Sequence, residues 1–147
     1  MKLLLRMHPA QDLSFFKVEK HKNIIIADDA FLKQHNIQLY ELLSYSNALI
    51  TDYSSVYYDY LLTNRPIGLT IEDEAEYRQQ YGLLFDDLRK ELPGIYIDSV
   101  SDLKEFLVQL KDEGFIQNYN DKWKLKNEFS AKRIYEIIMH NKYKFIQ

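Results

Sequence analysis

Two adjacent serines, Ser54 and Ser55, follow a short apolar run and stand at the start of a predicted helix. The apolar run 48–50 has the length and composition of a buried strand, and residues 51–53 form a polar turn after it. The first turn of a helix carries unpaired backbone N–H donors and partial positive charge, so this junction can bind an anion such as a phosphate. In an open α/β sheet it would lie at the carboxyl ends of the strands, where such folds bind ligands.

The same residue types also serve as ordinary helix caps. Asp and Ser are favoured N-cap residues, so the segment from Asp52 to Ser55 can equally close a helix that binds nothing. The Asp52 carboxylate would repel a phosphate, and bonding the backbone donors of the turn suits it better. From the residues alone, anion binding and capping both stay open.

Arg6 and His8 stand at the end of the first predicted strand, Lys2–Met7, and Pro9 ends that strand. They are two residues apart, so in a strand they share a face. An imidazolium at His8 could neutralise the charge of a bound phosphate, and a neutral imidazole could donate one hydrogen bond. The alternative is that His8 merely precedes the proline turn. Arg6 could bind a phosphate as well, or it could form an ion pair with one of three aspartates: Asp28, Asp29 or Asp52.

The hydrophobic pattern predicts strands alternating with helices, which indicates βαβ units and a parallel sheet. The predicted strands are Lys2–Met7, Asn23–Ala27, Ala48–Thr51, Pro66–Thr70 and Ile95–Ile97. The predicted helices are a stretch around 13–18, then Ile37–Ser46, Ser55–Leu62, Glu74–Tyr81, Ser101–Leu110 with Ser101 as its cap, Phe115–Leu125 and Ser130–His140. Residues 71–94 are acidic and rich in tyrosine, and most of them form a long loop, a kind of segment that is often functional in α/β domains.

Composition limits the function classes. The chain has 147 residues, which suits one domain, and it has no cysteine, which excludes disulfides and thiolate chemistry. A net charge of −3 gives no indication of nucleic-acid binding, although residues 122–147 hold seven Lys or Arg against two Glu. His21, His35 and His140 have no metal-ligand spacing, so we expect no metal site. No segment has the length and apolar character of a signal peptide or a membrane span.

Three motifs occur in order along the chain: Leu5-Arg6-Met7-His8-Pro9, Ile50-Thr51-Asp52-Tyr53-Ser54-Ser55-Val56 and Leu92-Pro93-Gly94. Together they resemble the CDP-glycerol glycerophosphotransferase family of teichoic acid polymerases and primases. The resemblance implies a Rossmann-like α/β fold with a parallel sheet flanked by helices, as the C-terminal, donor-nucleotide half of a GT-B architecture. It also implies that residues 1–147 form a single partial domain that lacks the first strand and helix of that half and the acceptor-side domain.

The chemistry that the resemblance implies is transfer of glycerol phosphate from CDP-glycerol to a hydroxyl of a cell-envelope polymer, with CMP leaving. Such phosphoryl transfer needs positioning and charge neutralisation more than covalent help. His8 then matches the histidine that faces the donor phosphates, and Asp59 takes the position of a ribose-binding carboxylate. Asp52 fixes the turn. The residues assigned to the donor pyrophosphate are Arg6, Thr51, Ser54 and Ser55.

CDP-glycerol, or another cytidine nucleotide, is the expected small-molecule partner, as donor substrate without a further cofactor. The expected macromolecular partners are a polyol-phosphate or glycolipid acceptor and an acceptor-domain protein, without nucleic acid. We expect a cytoplasmic location, with peripheral contact at the inner face of the cell membrane. Two alternatives stay open: a non-catalytic remnant or split subunit that docks on an acceptor-side partner, and a different nucleotide-sugar glycosyltransferase of capsule synthesis.

Overall fold

The computed structural model describes residues 1–7, 21–83, 85–111 and 115. The chain divides into two compact units, Met1–Asn47 and Ala48–Gln147. The helices predicted around 13–18, over 115–125 and over 130–140 lie outside the described residues, apart from Phe115. The interpretation of 1–147 as a single partial domain stays a prediction.

The first unit contains two parallel strands, β1 (Leu3–Leu5) and β2 (Ile24–Ile26), paired so that Leu3 lies opposite Ile24. Both are short apolar runs, and both were predicted from composition. They are followed by the helices α1 (Asp29–His35) and α2 (Leu39–Tyr45). Helix α2 lies within its predicted range, whereas α1 was not predicted.

Helix α1 exists because Asp28 is an N-cap and not simply the end of a strand. The Asp28 Oδ1 atom accepts a hydrogen bond from the Phe31 backbone N–H at 2.7 Å, which satisfies one of the free donors of the first turn. Asn36 ends the helix in the left-handed conformation, with φ of 51°. The helix is short and without buried residues, so its apolar pattern is weak.

The second unit contains a three-stranded parallel sheet with the order β3 (Leu49–Thr51), β4 (Ile67–Leu69) and β5 (Ile95–Tyr96). Strand β4 is central and completely buried, as expected for an apolar run in a parallel sheet covered on both faces. The predicted α/β class with parallel strands and flanking helices is confirmed.

The described part of this unit has four helices: α3 (Val56–Tyr60), α4 (Glu74–Tyr81), α5 (Leu88–Glu91) and α6 (Val100–Gln109). A 3₁₀ turn at Leu61–Thr63 continues α3, and the bounds of α4 are those predicted. The core of the unit is formed by side chains that are almost completely buried: Tyr57, Tyr60, Leu61, Ile67, Leu69, Ile71, Leu88, Leu92, Ile97 and Phe106.

Two local details differ from the predictions. Ser101 was expected to cap α6, but Ser99 is the cap, and its Oγ accepts from the Asp102 backbone N–H at 3.2 Å. The contact is reciprocal, because Asp102 Oδ2 accepts hydrogen bonds from Ser99 Oγ at 2.8 Å and from the Asp98 N–H at 3.1 Å. This reciprocal arrangement favours Ser99 because it satisfies two backbone donors at once. Helix α5 also interrupts the predicted long loop.

The longest described helix, α6, has ten residues. No helix in the described ranges has the length and the apolar surface needed to cross a bilayer.

Candidate functional site

Two hydrogen bonds fix the turn that follows β3, one at its start and one inside it. At its start, the Thr51 carbonyl oxygen accepts from the Thr70 backbone N–H at 3.0 Å, next to the end of β4. Inside the turn, Asp52 Oδ1 accepts from the Ser54 backbone N–H at 2.9 Å. A side-chain carboxylate that bonds the N–H two residues later forms an Asx turn, which fixes the local backbone.

The Asx turn changes which donors of this segment can meet a ligand. The Ser54 N–H is used by the Asp52 carboxylate, so it is not one of the free donors expected at the helix start. The Ser55 side chain makes no capping bond to α3 either, because Ser55 itself has helical backbone angles, φ −59° and ψ −21°. Simple capping by the Ser55 hydroxyl therefore does not account for this residue.

The turn presents both serine side chains to solvent, together with Asp52. Ser54 and Ser55 are both exposed, and neither hydroxyl has a hydrogen-bond partner within the described part of the chain. Asp59 is also exposed and lies four positions after Ser55, so the two project from the same side of α3. Thr51, Ser54, Ser55 and Asp59 thus lie in one short segment, three of them with hydroxyls that can donate to an anion.

Arg6 is the one of the two N-terminal candidates, Arg6 and His8, that the structure describes. Arg6 belongs to the first unit, where its Nη2 lies 2.6 Å from Asp29 Oδ1 and its Nη1 donates to the Ala27 carbonyl oxygen at 2.9 Å. Of the three aspartates considered as ion-pair partners, Asp29 is therefore the one that Arg6 contacts, and the guanidinium ties β1 to the start of α1. His8 lies outside the described residues. The assignment of both residues to the donor phosphates stays a prediction.

A row of three tyrosines, called here the tyrosine ladder, extends from the same turn: Tyr53, Tyr77 and Tyr81. The Tyr53 and Tyr77 rings are stacked, with centroids 4.3 Å apart and planes at 24°, and the Tyr77 and Tyr81 centroids are 5.0 Å apart at 45°. The Tyr53 hydroxyl donates to Asp73 Oδ1 at 3.1 Å and lies 3.3 Å from the Ile71 carbonyl oxygen. The ladder therefore ties the turn to the start of α4.

The Tyr53 phenol is held in its protonated form. Burial raises its pKa well above the ordinary value, and the hydrogen bond to Asp73 with the nearby negative charges raises the pKa further. Sequence reasoning missed the ladder. The spacing of Tyr77 and Tyr81 by four residues was visible on the predicted helix, but nothing local connects them to Tyr53.

The third motif, Leu92-Pro93-Gly94, contacts α3, the helix that follows the serines. Tyr57, of which 1% is exposed, donates its hydroxyl hydrogen to the Pro93 carbonyl oxygen at 2.8 Å. Gly94 lies against β4 so closely that a Cβ there would be 2.7 Å from Leu69 Cδ1. A third contact comes from Tyr96, whose hydroxyl donates to the Leu92 carbonyl oxygen at 2.8 Å. In this structure the motif therefore packs against β4 and anchors the helix α3 through the hydrogen bond from Tyr57.

Among the described residues, no three His, Asp or Glu side chains lie close enough together to hold a metal ion. His21 and His35 make local contacts, since His21 Nδ1 accepts from the Asn23 N–H at 3.3 Å and His35 Nδ1 lies 2.9 Å from the Phe31 carbonyl oxygen.

The match to a family of known proteins covers nearly the whole chain. Residues 1–140 match the family described as CDP-Glycerol:Poly(glycerophosphate) glycerophosphotransferase. The chain belongs to this family. All three motifs and the serine turn lie inside the matched range, so the resemblance suggested by the motifs is confirmed.

Several curated relatives are teichoic acid enzymes. The chain is 30% identical over 122 residues to the teichoic acid glycerol-phosphate primase of Bacillus subtilis strain 168, which covers 82% of this chain and 30% of the relative. It is 32% identical over 114 residues to the teichoic acid glycerol-phosphate transferase of Staphylococcus aureus strain NCTC 8325 / PS 47, covering 75% and 26%. It is 29% identical over 143 residues to the teichoic acid poly(glycerol phosphate) polymerase of Bacillus spizizenii, covering 93% and 34%.

The chain thus spans about a third of the length of these curated relatives. No solved structure matches the chain.

Proposed function

We propose that this glycerophosphotransferase-family chain binds the donor CDP-glycerol at the turn formed by Thr51 to Ser55. The observation that supports the proposal is the pair of exposed serine hydroxyls, without a described partner, on a turn that Asp52 holds in place. A turn already ordered before the ligand arrives loses little entropy on binding. Membership of the family, together with relatives named for glycerol-phosphate transfer, favours a glycerol-phosphate donor.

In the proposed reaction, an acceptor hydroxyl oxygen attacks the phosphorus that carries the glycerol. A new phosphodiester bond forms, the bond from that phosphorus to the CMP oxygen breaks, and CMP leaves with the electron pair. The proton of the acceptor hydroxyl passes to a base. The protein's main task is to hold the pyrophosphate and to stabilise its growing charge.

The roles of the turn residues follow from their chemistry. The hydroxyls of Thr51, at the end of β3, and of Ser54 and Ser55 donate to non-bridging oxygens of the pyrophosphate. Asp52 keeps the backbone in place and does not contact phosphate, because two anions in contact would repel. Asp59, on the same side of α3 as Ser55, accepts hydrogen bonds from the ribose hydroxyls.

His8 and Arg6 complete the proposed assignment. His8 stabilises the departing CMP, as a cation or as a single hydrogen-bond donor. Arg6 neutralises the pyrophosphate, which requires one of its amino groups to leave Asp29 or the Ala27 carbonyl oxygen. An exposed ion pair of this kind contributes little to stability, so the exchange costs little.

The acceptor, the architecture and the location belong to the same proposal. The acceptor is a polyol-phosphate or glycolipid chain of teichoic acid synthesis, which an acceptor-side GT-B partner would present. The work would take place in the cytoplasm, at the inner face of the cell membrane. Basic residues of the segment 122–147 would contact anionic lipid there.

Calorimetric titration with CDP-glycerol, CMP and UDP tests the proposal on the full chain. The wild type should bind the cytidine nucleotides in preference to UDP. The double variant Ser54→Ala/Ser55→Ala should lose at least about a hundredfold in affinity, since each of the two hydrogen bonds to the charged pyrophosphate contributes about 1.5–3 kcal/mol. Ser101→Ala, at an exposed serine on α6, is the matched control and should bind like the wild type.

The outcomes separate the alternatives. Preference for UDP or another sugar nucleotide would indicate the capsule-type glycosyltransferase. A folded chain that binds no nucleotide would contradict the proposal and favour the docking module. Equal affinity in the wild type and the double variant would remove the serine turn from the site.

A further inference from the structure

The outer end of the tyrosine ladder is an exposed aromatic surface next to the proposed phosphate turn. Tyr81, the last ring of the ladder, is 68% exposed. Asp73, Tyr77 and Tyr81 follow one another at intervals of four residues, so they share one side of α4 and of its first turn. Tyr53, which immediately precedes Ser54, begins the ladder, so this surface extends directly from the turn.

The charges around the ladder are unfavourable to an anionic ligand. Residues 71–94 contain seven carboxylates and three cationic side chains. Each of the three cations is already paired: Arg78 with Glu74 at 2.7 Å, Arg89 with Asp98 at 2.7 Å and Lys90 with Asp87 at 2.9 Å. The Arg78 guanidinium also donates to the carbonyl oxygens of Phe85 and Asp86. A phosphate placed on this surface would meet carboxylates and no unpaired cation of the segment.

We infer that the outer face of the ladder binds an uncharged saccharide unit of the acceptor, an inference that rests on the proposed function. The face of a tyrosine ring is electron-rich, and it attracts the polarised C–H groups of a sugar ring. Carboxylates accept hydrogen bonds from sugar hydroxyls, and the exposed Asp73 lies on the same side as the rings. An aromatic face beside carboxylates therefore complements a neutral ring that carries hydroxyls.

The geometry favours a saccharide over the nucleobase of the donor. The space between Tyr53 and Tyr77 is already closed by their stacking at 4.3 Å, so no flat ring can enter there. Tyr77 and Tyr81 are tilted by 45°, so they do not form a slot with parallel walls for a base. What remains is a single exposed aromatic face, called here the saccharide shelf, with carboxylates at its edge that accept hydrogen bonds. A sugar offers several hydroxyl donors to such an edge, whereas cytosine offers one amino group.

Saturation-transfer difference NMR on the full chain tests this inference with neutral probes. The probes are maltose, chitobiose and methyl β-glucopyranoside, with cytidine and inorganic phosphate as competitors of different chemistry. We expect at least one saccharide to bind in the millimolar range with its ring C–H protons closest to the protein. Tyr81→Ala should weaken that binding about tenfold, because a stacked aromatic contact of this size is lost.

Two further variants make the result specific. Tyr81→Phe keeps the aromatic face and should bind the saccharide within about twofold of the wild type. Tyr45→Ala removes a tyrosine that is 74% exposed on α2 and should have no effect. Both positions are exposed, so neither change endangers the core. Absence of binding by every saccharide, or equal binding by wild type and Tyr81→Ala, would overturn the inference, and so would cytidine binding that depends on Tyr81.

The serine double variant distinguishes this inference from the proposed function. Ser54→Ala/Ser55→Ala should lose nucleotide binding and keep the saccharide affinity. Nucleotide binding without saccharide binding would overturn the saccharide shelf and leave the proposed donor site standing. Saccharide binding at Tyr81 in a chain that binds no nucleotide would support the shelf and overturn the donor site.

Discussion

The hydroxyl of Tyr57 donates to the carbonyl oxygen of Pro93 across a distance of 2.8 Å, although the two residues are 36 positions apart. Tyr57 lies on the helix that follows the serine turn, and Pro93 lies in the segment that leads into β5. The bond therefore connects the proposed donor site to the far edge of the three-stranded sheet. It joins the residue that follows the serine-turn motif to the motif Leu92-Pro93-Gly94.

Loss of this bond should destabilise the second unit. Tyr57→Phe removes the donor and leaves the Pro93 carbonyl oxygen without this partner, so we expect the free energy of unfolding to fall by about 1–2 kcal/mol. Urea denaturation followed by circular dichroism measures it, with an unchanged slope against urea. Tyr45→Phe, on an exposed tyrosine of α2, is the control. Identical midpoints for Tyr57→Phe and the wild type would show that the bond contributes nothing.

Gly94 should not tolerate a side chain. The added methyl group of Gly94→Ala would lie 2.7 Å from Leu69 Cδ1 and 3.3 Å from the Ile67 carbonyl oxygen, both in the buried strand β4. Overpacking of this kind costs about 1–3 kcal/mol, which should appear as a drop of several degrees in Tm. Ala75→Ser, at an exposed position of α4, is the control. An unchanged Tm in Gly94→Ala would show that the Leu69 side chain can shift far enough to accommodate the methyl group.

Substitutions of Asp52 test whether its hydrogen-bond acceptor or its negative charge matters for nucleotide binding. Asp52→Asn keeps an Oδ1 acceptor for the Ser54 N–H, so the Asx turn should persist and nucleotide affinity should equal or exceed that of the wild type. Asp52→Ala removes the acceptor and should weaken CMP binding about tenfold, because the turn loses its order. Calorimetry on both variants decides. Equal losses in Asn and Ala would assign the carboxylate charge itself to ligand binding.

Tyr96 should make the fold sensitive to alkali. Burial raises the pKa of its phenol from 10.0 to about 12, and in the folded state the hydroxyl donates to the carbonyl oxygens of Leu88 and Leu92. The unfolded chain therefore releases this proton first as the pH rises. The stability that Tyr96 contributes is complete below pH 10 and declines between pH 10 and 12.

The measurement is the free energy of unfolding by urea at several values between pH 8 and about pH 11. The wild type should lose up to about 1.4 kcal/mol per pH unit through this group above pH 10. Tyr96→Phe should be less stable at pH 8 and should show a shallower decline. Tyr45→Phe provides the comparison for a tyrosine on the surface. A parallel decline in wild type and Tyr96→Phe would contradict the role of this phenol.

Features that depend on neighbouring residues could be predicted from the sequence. The apolar runs of β2 and β4 and the bounds of α4 follow from local patterns, and the stripe that buries Tyr57 and Tyr60 follows from helical periodicity. The role of Asp52 in bonding the turn's backbone was anticipated because the contact spans two residues. The strand-and-helix alternation was sufficient for the α/β class, and the order of the three motifs for the family.

Where neighbouring residues suit the same structural role, or one residue suits two roles, the sequence pattern could not decide between the possibilities. Ser99 and Ser101 are both suitable caps, and only the reciprocal contacts with Asp102 select Ser99. Likewise, Asp28 could end a strand or begin a helix, and its bond to the Phe31 N–H decides for the helix. These choices differ by about 1 kcal/mol, which is too little for composition to resolve.

By itself, the sequence determined the α/β class with its parallel strands, the family, and the serine turn as the candidate site, because each depends on short-range patterns or ordered motifs. Only the tertiary structure decided that Tyr53 stacks on Tyr77, that Tyr57 bonds Pro93 and that Arg6 contacts Asp29. These pairs are 20 or more residues apart. Many alternative partners of the same chemistry exist along the chain, and only the packed backbone brings one of them within contact distance.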